Sequence, residues 1–389
     1  MTKDYVIVIN CGSSSIKFAV FDLKHEQHLY HGLVDNVGTD SCHLSYSHNN
    51  AIKGYHLSNA SITEALAKVI EIFKADRALI KKLAAIGHRV VHGGSLFTKP
   101  TKVTPSVITE LKKLSILAPL HNPSNIAGIE ECISAFPNVK NVAVFDTAFH
   151  SQMPDIAATY AIDRTIAEKY HIKRYGFHGI SHNYIYNSFL DITGKKSANI
   201  ISVHLGNGAS IAAIKKGISV DTSMGFTPLA GLVMGTRSGD IDPGVHQYLA
   251  SCLNLSISEI TENLNKKSGL KALSKLTHDM RKLEEEYKND NSDAKLALDL
   301  FTYNIAKYIA SYLVPLKTID AIVFTGGIGE NSALIRQLVC EQLSHLHIHL
   351  CLESNKHNEN IITQATSAIS VYVIKTNEEL LIAKLAAGR

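Results

Sequence analysis

Residues Val6 to Asp22 read VIVINCGSSSIKFAVFD, and the reading of the small polar knot at its centre, Asn10-Cys11-Gly12-Ser13-Ser14-Ser15, decides the fold. Val6, Ile7, Val8 and Ile9 form a β-branched run suited to a buried strand. Beyond the knot, Ile16, Phe18 and Val20 alternate with Lys17, Ala19 and Phe21, a period of two that predicts a second strand rather than a helix. A Walker loop or a dinucleotide fingerprint would open a helix at this point and carry its own glycine spacing. Neither pattern is present, so a phosphate bound here would sit in a hairpin turn. Gly12 permits close approach, the serines offer hydroxyls and amides, and Lys17 supplies positive charge. A plain serine-rich hairpin is the competing reading.

A second copy strengthens the phosphate reading. From Asn199 the chain reads NIISVHLGNGASIAAIKKG: a strand through Ile200, Ile201 and Val203, a Gly206-Asn207-Gly208-Ala209-Ser210 turn, and a returning strand from Ile211 to Ile214. Two such hairpins about half a chain apart predict a duplicated domain, each half presenting one turn to a shared cleft. A third element is the strand Ile319 to Phe324, followed by the glycine-rich turn TGGIGENS and a helix from about Ser332. Ser61 to Lys74 is expected as a helix on the spacing of Ile62, Leu66, Val69, Ile70 and Phe73. Asp293 to Leu316 is expected as one long helix with Leu296, Leu300, Ile305, Ile309 and Leu313 on its apolar face. Strands alternating with helices give an α/β class.

Composition bounds the function. The 389 residues predict two to three domains; 45% hydrophobic and 19% charged content excludes disordered and fibrous classes. A net charge of +4, with Lys and Arg scattered, leaves no footprint for nucleic acid. The six cysteines, Cys11, Cys42, Cys132, Cys252, Cys340 and Cys351, form no CxxC pair, which argues for a reducing compartment. The start breaks its apolar run at Asn10, too early for a signal peptide, and no stretch approaches the ~20 apolar residues that span a bilayer. A cytoplasmic enzyme or ATPase is the expectation.

Nine stretches, in order, carry a family resemblance: VIVINCGSSSIKF, GHRVVHGG, APLHNP, VFDTAFH, RYGFHGISH, HLGNGAS, DTSMGFTPLAGLVMGTRSGDIDPG, FTGGIGENS and TNEELLIA. Running from the first strand to the last helix, they resemble the acetokinase family, within the actin, sugar kinase and Hsp70 ATPase superfamily. The resemblance implies an α/β fold of duplicated ribonuclease H-like domains with an active-site cleft between two lobes. The first lobe would run over 1–149 with the C-terminal helix, about 378–389, packing back on it. The second, 150–377, would hold the nucleotide and a homodimer interface. The implied reaction is reversible transfer of the ATP γ-phosphoryl group to acetate, giving acetyl phosphate and ADP, with Mg²⁺ (Mn²⁺ as substitute) and no nucleic-acid or membrane partner.

Phosphoryl transfer needs positioning and positive charge more than covalent chemistry. Arg89, in a GHRVVHGG stretch that starts as a strand, and Arg237, among the small residues Gly235, Thr236, Ser238 and Gly239, are the leading cations, because an arginine fork holds a carboxylate or phosphoryl group bidentately. By resemblance both bind the substrate carboxylate and the transferring group. His178 helps stabilise the transition state, His121 lies in the same cleft, and Asp146 acts near the reacting oxygen. Acetate is already ionised at neutral pH, so positioning suits Asp146 better than general-base work. Val91, Leu120, Phe177 and Pro228 match the family's methyl pocket and otherwise read as core; valine at 91 favours acetate over propionate. The nucleotide set implied is Ser13, Ser15, Lys17, His204, Leu205, Gly206, Asn207, Gly208, Asp279, Met280, Arg281, Gly327, Ile328, Gly329 and Asn331. Asn10 and Glu378 are the implied metal ligands, with Glu379 as the alternative carboxylate. In SGLKALSKLTHDMRKLEEE, Ala272, Lys275 and His278 stand where the family has smaller residues, which loosens the expected adenosine contacts. A propionate or butyrate kinase of the same family is the sibling alternative. An ATP-driven chaperone or filament protein on the same core is the rival class; a chaperone would need an appended client-binding domain, for which the chain leaves no residues.

Overall fold

The computed structural model describes residues 3–389. The chain forms two compact units: one holds the chain up to Phe149 together with Asn377–Arg389, the other holds His150–Thr376.

In the first unit the strands are β1 (Tyr5–Cys11), β2 (Ile16–Asp22), β3 (Gln27–Asp35), β4 (His43–His48), β5 (Ala51–His56), β6 (Leu83–Val90), β7 (Thr101–Lys102) and β8 (Lys140–Phe145). They make one sheet in the order β5-β4-β3-β2-β1-β6-β8-β7. β1, β2 and β3 pair antiparallel, whereas β6 and β8 join parallel to β1. The second unit holds β9 (Asn199–Leu205), β10 (Ala209–Lys215), β11 (Ile218–Thr222), β12 (Ala321–Thr325) and β13 (Ser370–Val373), in the order β11-β10-β9-β12-β13. Again the first three are antiparallel and the last two parallel. The central five strands of the first sheet thus repeat the second in both order and sense. That is the duplicated ribonuclease H-like core of the actin-like ATPases.

Local chemistry accounts for the elements around these sheets. Ser61 caps the helix Ile62–Ala75 in a capping box with Glu64, and Leu66, Val69, Ile70 and Phe73 are buried. Phe73 meets Phe18 of the sheet edge-on, ring centroids 5.7 Å apart. Each such fully buried side chain contributes about 1.5–3 kcal/mol. Asn377 caps the helix Glu378–Ala387, which lies on β6 so closely that a Cβ on Gly87 would come within 2.7 Å of Ile382 Cγ2.

Two expectations are corrected. The long helix spans Ser292–Ser311, and Leu313–Leu316 is a separate turn. Pro315 has no N–H to donate to the carbonyl of Ser311, so the helix ends before it. The buried face of Ser292–Ser311 runs through Ala297, Leu298, Phe301, Ile305 and Ile309, while Leu296 and Leu300 are exposed. Spacing alone does not say which of two adjacent apolar stripes meets the sheet. The glycine-rich turn is itself helical over Gly326–Asn331, with Gly326 at φ +77°, before Ser332 caps the helix Ala333–Gln342. Among the described residues, no helix is long and apolar enough to cross a membrane.

Candidate active site

In the first unit, β1, β6 and β8 run parallel, with Ile9 opposite His88 and Arg89 opposite Val144. Their carboxyl ends therefore bring Asn10, Arg89 and Asp146 to one edge, where α/β sites form. Arg89 grips Asp146 through two parallel bonds, Nε to Oδ1 at 2.9 Å and Nη2 to Oδ2 at 2.5 Å. Its Nη1 lies 3.4 Å from Asn10 Oδ1. Asp146 is 1% exposed and Arg89 21%, so the carboxylate is an internal brace and the guanidinium reaches the surface. Burial pushes the Asp146 carboxyl up, Arg89 pulls it down, and Glu378 adds a further push; the net direction is upward. Burial opposes the charge on Arg89, but Asp146 outweighs that, and the guanidinium is held above its ordinary value.

Glu378 and Glu379 open the same helix yet face different groups. Glu378 acts electrostatically on both Arg89 and Asp146. Glu379 looks toward His31, 3.8 Å away, and Lys17; burial raises its carboxyl. The metal pair named from the sequence, Asn10 and Glu378, is therefore gathered around Arg89. Among the described residues no group of three or more His, Cys, Asp or Glu could hold a metal ion. An amide and a carboxylate oxygen suit a hard cation that keeps most of its ligands from water and phosphate.

Sequence reasoning missed what steadies this edge. Asn125, buried in the helix Asn122–Ala135, accepts from Val91 N at 3.0 Å and donates to Cys11 O at 2.6 Å. It thus ties the residue after Asn10 to the second residue after Arg89. Asn122 binds both N and O of His92. In APLHNPSN these asparagines look like ordinary helix-start residues, and nothing in the string marks them as braces. Val91 is buried as expected, whereas Leu120 is 52% exposed, which rules out its core reading; it lies in the turn before this helix, next to His121.

In the second unit the β9–β10 hairpin closes on Leu205 and Ala209, with Gly206 N bonded to Gly208 O at 3.0 Å. Gly235 N donates to Asn207 O, which ties the GTRSGD stretch to this turn. Arg237 Nη1 donates to Pro228 O at 3.2 Å, so two predicted site residues meet. A Cβ on Gly208 would meet His178 Cε1 at 3.2 Å, His178 Nε2 at 3.3 Å and Arg237 Nη1 at 3.7 Å. The turn is thus flanked by an imidazole and a guanidinium, two donor groups suited to an anion. His178 stands immediately before the helix Gly179–Thr193 in a left-handed conformation, φ 55°, unusual for a non-glycine residue. Phe177 beside it is fully buried.

His204 Nδ1 and Ser181 Oγ are 2.8 Å apart, and Ser181 Oγ is 3.0 Å from Thr376 Oγ1. Glu330, also unforeseen, accepts from Gly326 N and Thr376 N, each at 3.0 Å. A Cβ on Gly327 would meet nothing within 4 Å, and Asn331 Nδ2 donates to Gly327 O at 2.9 Å. Gly329 O accepts from the buried Arg336. Asp279 caps the helix Met280–Lys288; the hydrogen bond from exposed Arg281 lowers its carboxyl to about 2. These two pair with each other, while Met280 is buried. On the first unit's hairpin, Ser13 and Lys17 are exposed and Ser15 is half-buried, with Gly12 N bonded to Ser15 O.

Residues 5–384 match the acetokinase family. The chain belongs to that family. It is 46% identical to the acetate kinase of Campylobacter jejuni strain 81-176 over 389 residues, 98% of each chain. Among solved structures it is similar to a propionate kinase from Francisella tularensis, at 42% identity and TM-score 0.96 with both chains fully covered. It is also similar to Porphyromonas gingivalis acetate kinase, at 37% identity and TM-score 0.91 over 98% of each chain. This acetokinase-family chain is a kinase with the duplicated ATPase fold described above.

Proposed function

We propose that the chain catalyses reversible phosphoryl transfer between ATP and acetate, giving acetyl phosphate and ADP. The observation that carries the reading is the Arg89–Asp146 fork at the strand ends of the first unit. Both oxygens of Asp146 are occupied by Arg89, so Asp146 serves to aim the guanidinium. Arg89 then holds the substrate carboxylate. An acetate oxygen attacks the γ-phosphorus, the bond to the β-phosphate oxygen breaks, and ADP leaves. Arg237 and His178, flanking Gly208, meet the charge on the transferring group; Ser13, Ser15, Lys17 and the Leu205 to Gly208 turn hold the phosphate tail. Gly327, Ile328, Asp279 and Arg281 hold adenosine.

Asn10 and Glu378 are the residues that would hold Mg²⁺, which supplies charge neutralisation on phosphate oxygens. The six unpaired cysteines agree with a reducing, cytoplasmic setting. A homodimer, checked by light scattering, would cover exposed apolar side chains such as Tyr248, Leu253 and Ile257 of the second unit.

Propionate is the second reading, favoured by the likeness to the Francisella propionate kinase. A hydroxamate assay over formate, acetate, propionate and butyrate decides: highest kcat/KM with acetate is expected, and faster turnover of propionate overturns the acetate assignment.

A further inference from the structure

Around His178 lies a chain of buried histidines and serines that the reaction above does not use. His150 Nε2 is 3.0 Å from Phe177 O, and its Nδ1 is 2.7 Å from Ser219 Oγ. His182 Nδ1 is 2.8 Å from Ser202 Oγ, and its Nε2 is 2.8 Å from Ser210 Oγ. Ser210 Oγ in turn is 3.0 Å from His178 Nδ1. His182, Ser202 and Ser210 have no exposed surface.

We propose that His150 and His182 are positioning residues that hold His178 in one backbone pose and one tautomer, with its Nε2 proton directed at the Gly208 turn, an inference that rests on the phosphoryl-transfer reading. A carbonyl oxygen only accepts, so His150 donates through Nε2–H to Phe177. Burial holds His150 down to about 4, so its ring is neutral and Nδ1 accepts from the Ser219 hydroxyl. The peptide leading into the left-handed His178 is thereby pinned.

The ring of His178 is set through Ser210. Burial holds His182 well below its ordinary value, so it too is neutral and carries one ring proton. With one hydrogen per contact and the Ser210 hydroxyl donating within the row, Ser202–His182–Ser210–His178 runs in one of two directions. From Ser202 inward, its hydroxyl donates to His182 Nδ1, His182 Nε2–H donates to Ser210, and the Ser210 hydroxyl donates to His178 Nδ1. A His178 ring carrying a single proton then carries it on Nε2, the atom beside Gly208. The reverse direction places a lone pair there, which would repel a phosphoryl oxygen. An anionic group beside Gly208 selects the first direction.

The test is multiple-bond ¹H–¹⁵N correlation spectroscopy on the full-length protein labelled with ¹⁵N-histidine and saturated with ADP and inorganic phosphate, His178 being assigned from a His178→Gln spectrum. The expected result is His178 protonated at Nε2 and bare at Nδ1. Ser210→Ala should remove that preference and lower kcat about 10–100-fold, the scale on which losing an outer partner costs a functional histidine, with KM for acetate and ATP unchanged. His182→Gln, whose amide N–H still reaches toward Ser210, should retain more kcat than His182→Leu. His178 protonated at Nδ1 in the wild type overturns the proposal, as does Ser210→Ala with an unshifted tautomer or a wild-type kcat. The wild-type spectrum decides alone if the variants do not fold. Failure of the phosphoryl-transfer reading looks different: His178 protonated at Nε2 in a protein that makes no acyl hydroxamate from any short carboxylate.

Discussion

Replacing Asp146 by Asn probes the Arg89 fork with almost no change of shape. Asn keeps one acceptor for Arg89 Nε, but its Nδ2 turns two hydrogens toward Nη2, which sits 2.5 Å from Oδ2 in the native pair. The fork loses its charge partner and gains a donor–donor clash. Breaking a buried ion pair from one side costs about 3–5 kcal/mol. Arg89 is 21% exposed, and water recovers part of its charge, so the lower end, about 3 kcal/mol, applies. For a cooperative unit of about 150–250 residues each kcal/mol moves Tm by about 2–4 °C. Scanning calorimetry should therefore show the transition of the first unit falling by about 6–12 °C, and turnover should fall with it because the guanidinium is no longer aimed. Adding Arg89→Met should restore stability by removing the stranded charge while leaving the enzyme inactive. An Asp146→Asn protein that melts within 1 °C of wild type, or a double variant no more stable than Asp146→Asn, refutes the buried-brace reasoning.

Arg237→Ala should cut kcat by about 10³–10⁵ while circular dichroism and Tm stay native, the range seen when a phosphoryl-stabilising arginine is removed; near-native kinetics removes its role. Gly269 sits at φ +66°, and a Cβ there would come within 2.2 Å of Met234 O and 2.7 Å of Arg237 O. Gly269→Ala should thus displace the Arg237 backbone and lower both stability and kcat, and a native melting curve contradicts that packing. Burial holds His88 and His150 down to about 4, against 6.5 unfolded. The unfolded chain takes up these protons first, so their stabilisation is complete above pH 6.5 and is lost as pH falls toward 4, by about 3 kcal/mol each. Urea midpoints should decline across that window, and less steeply in His150→Gln; an unchanged slope in the variant counts against the buried neutral ring. Val91→Ala should raise kcat/KM for propionate relative to acetate, within the ~1–3 kcal/mol that one methylene is worth; an unchanged ratio removes Val91 from the methyl pocket.

What the linear sequence determined by itself was whatever depends on neighbours in the chain. Strand alternation and small-residue turns located both hairpins, and the spacing of Ile62, Leu66, Val69, Ile70 and Phe73 located the helix Ile62–Ala75. The order of the motifs identified the family, residue type nominated Arg89 and Arg237, and the resemblance nominated His178. Tertiary structure alone decided what depends on distant partners. It chose which apolar stripe of Ser292–Ser311 is buried, and it turned Glu378 toward Arg89 and Glu379 toward His31. It also recruited Asn125, His150, His182 and Ser210 as braces. The reason is physical. Propensity and periodicity act over a few residues, whereas a buried polar group must find its hydrogen-bond partner wherever the fold brings one, here 114 residues away between Asn125 and Cys11 and 195 between Ser181 and Thr376.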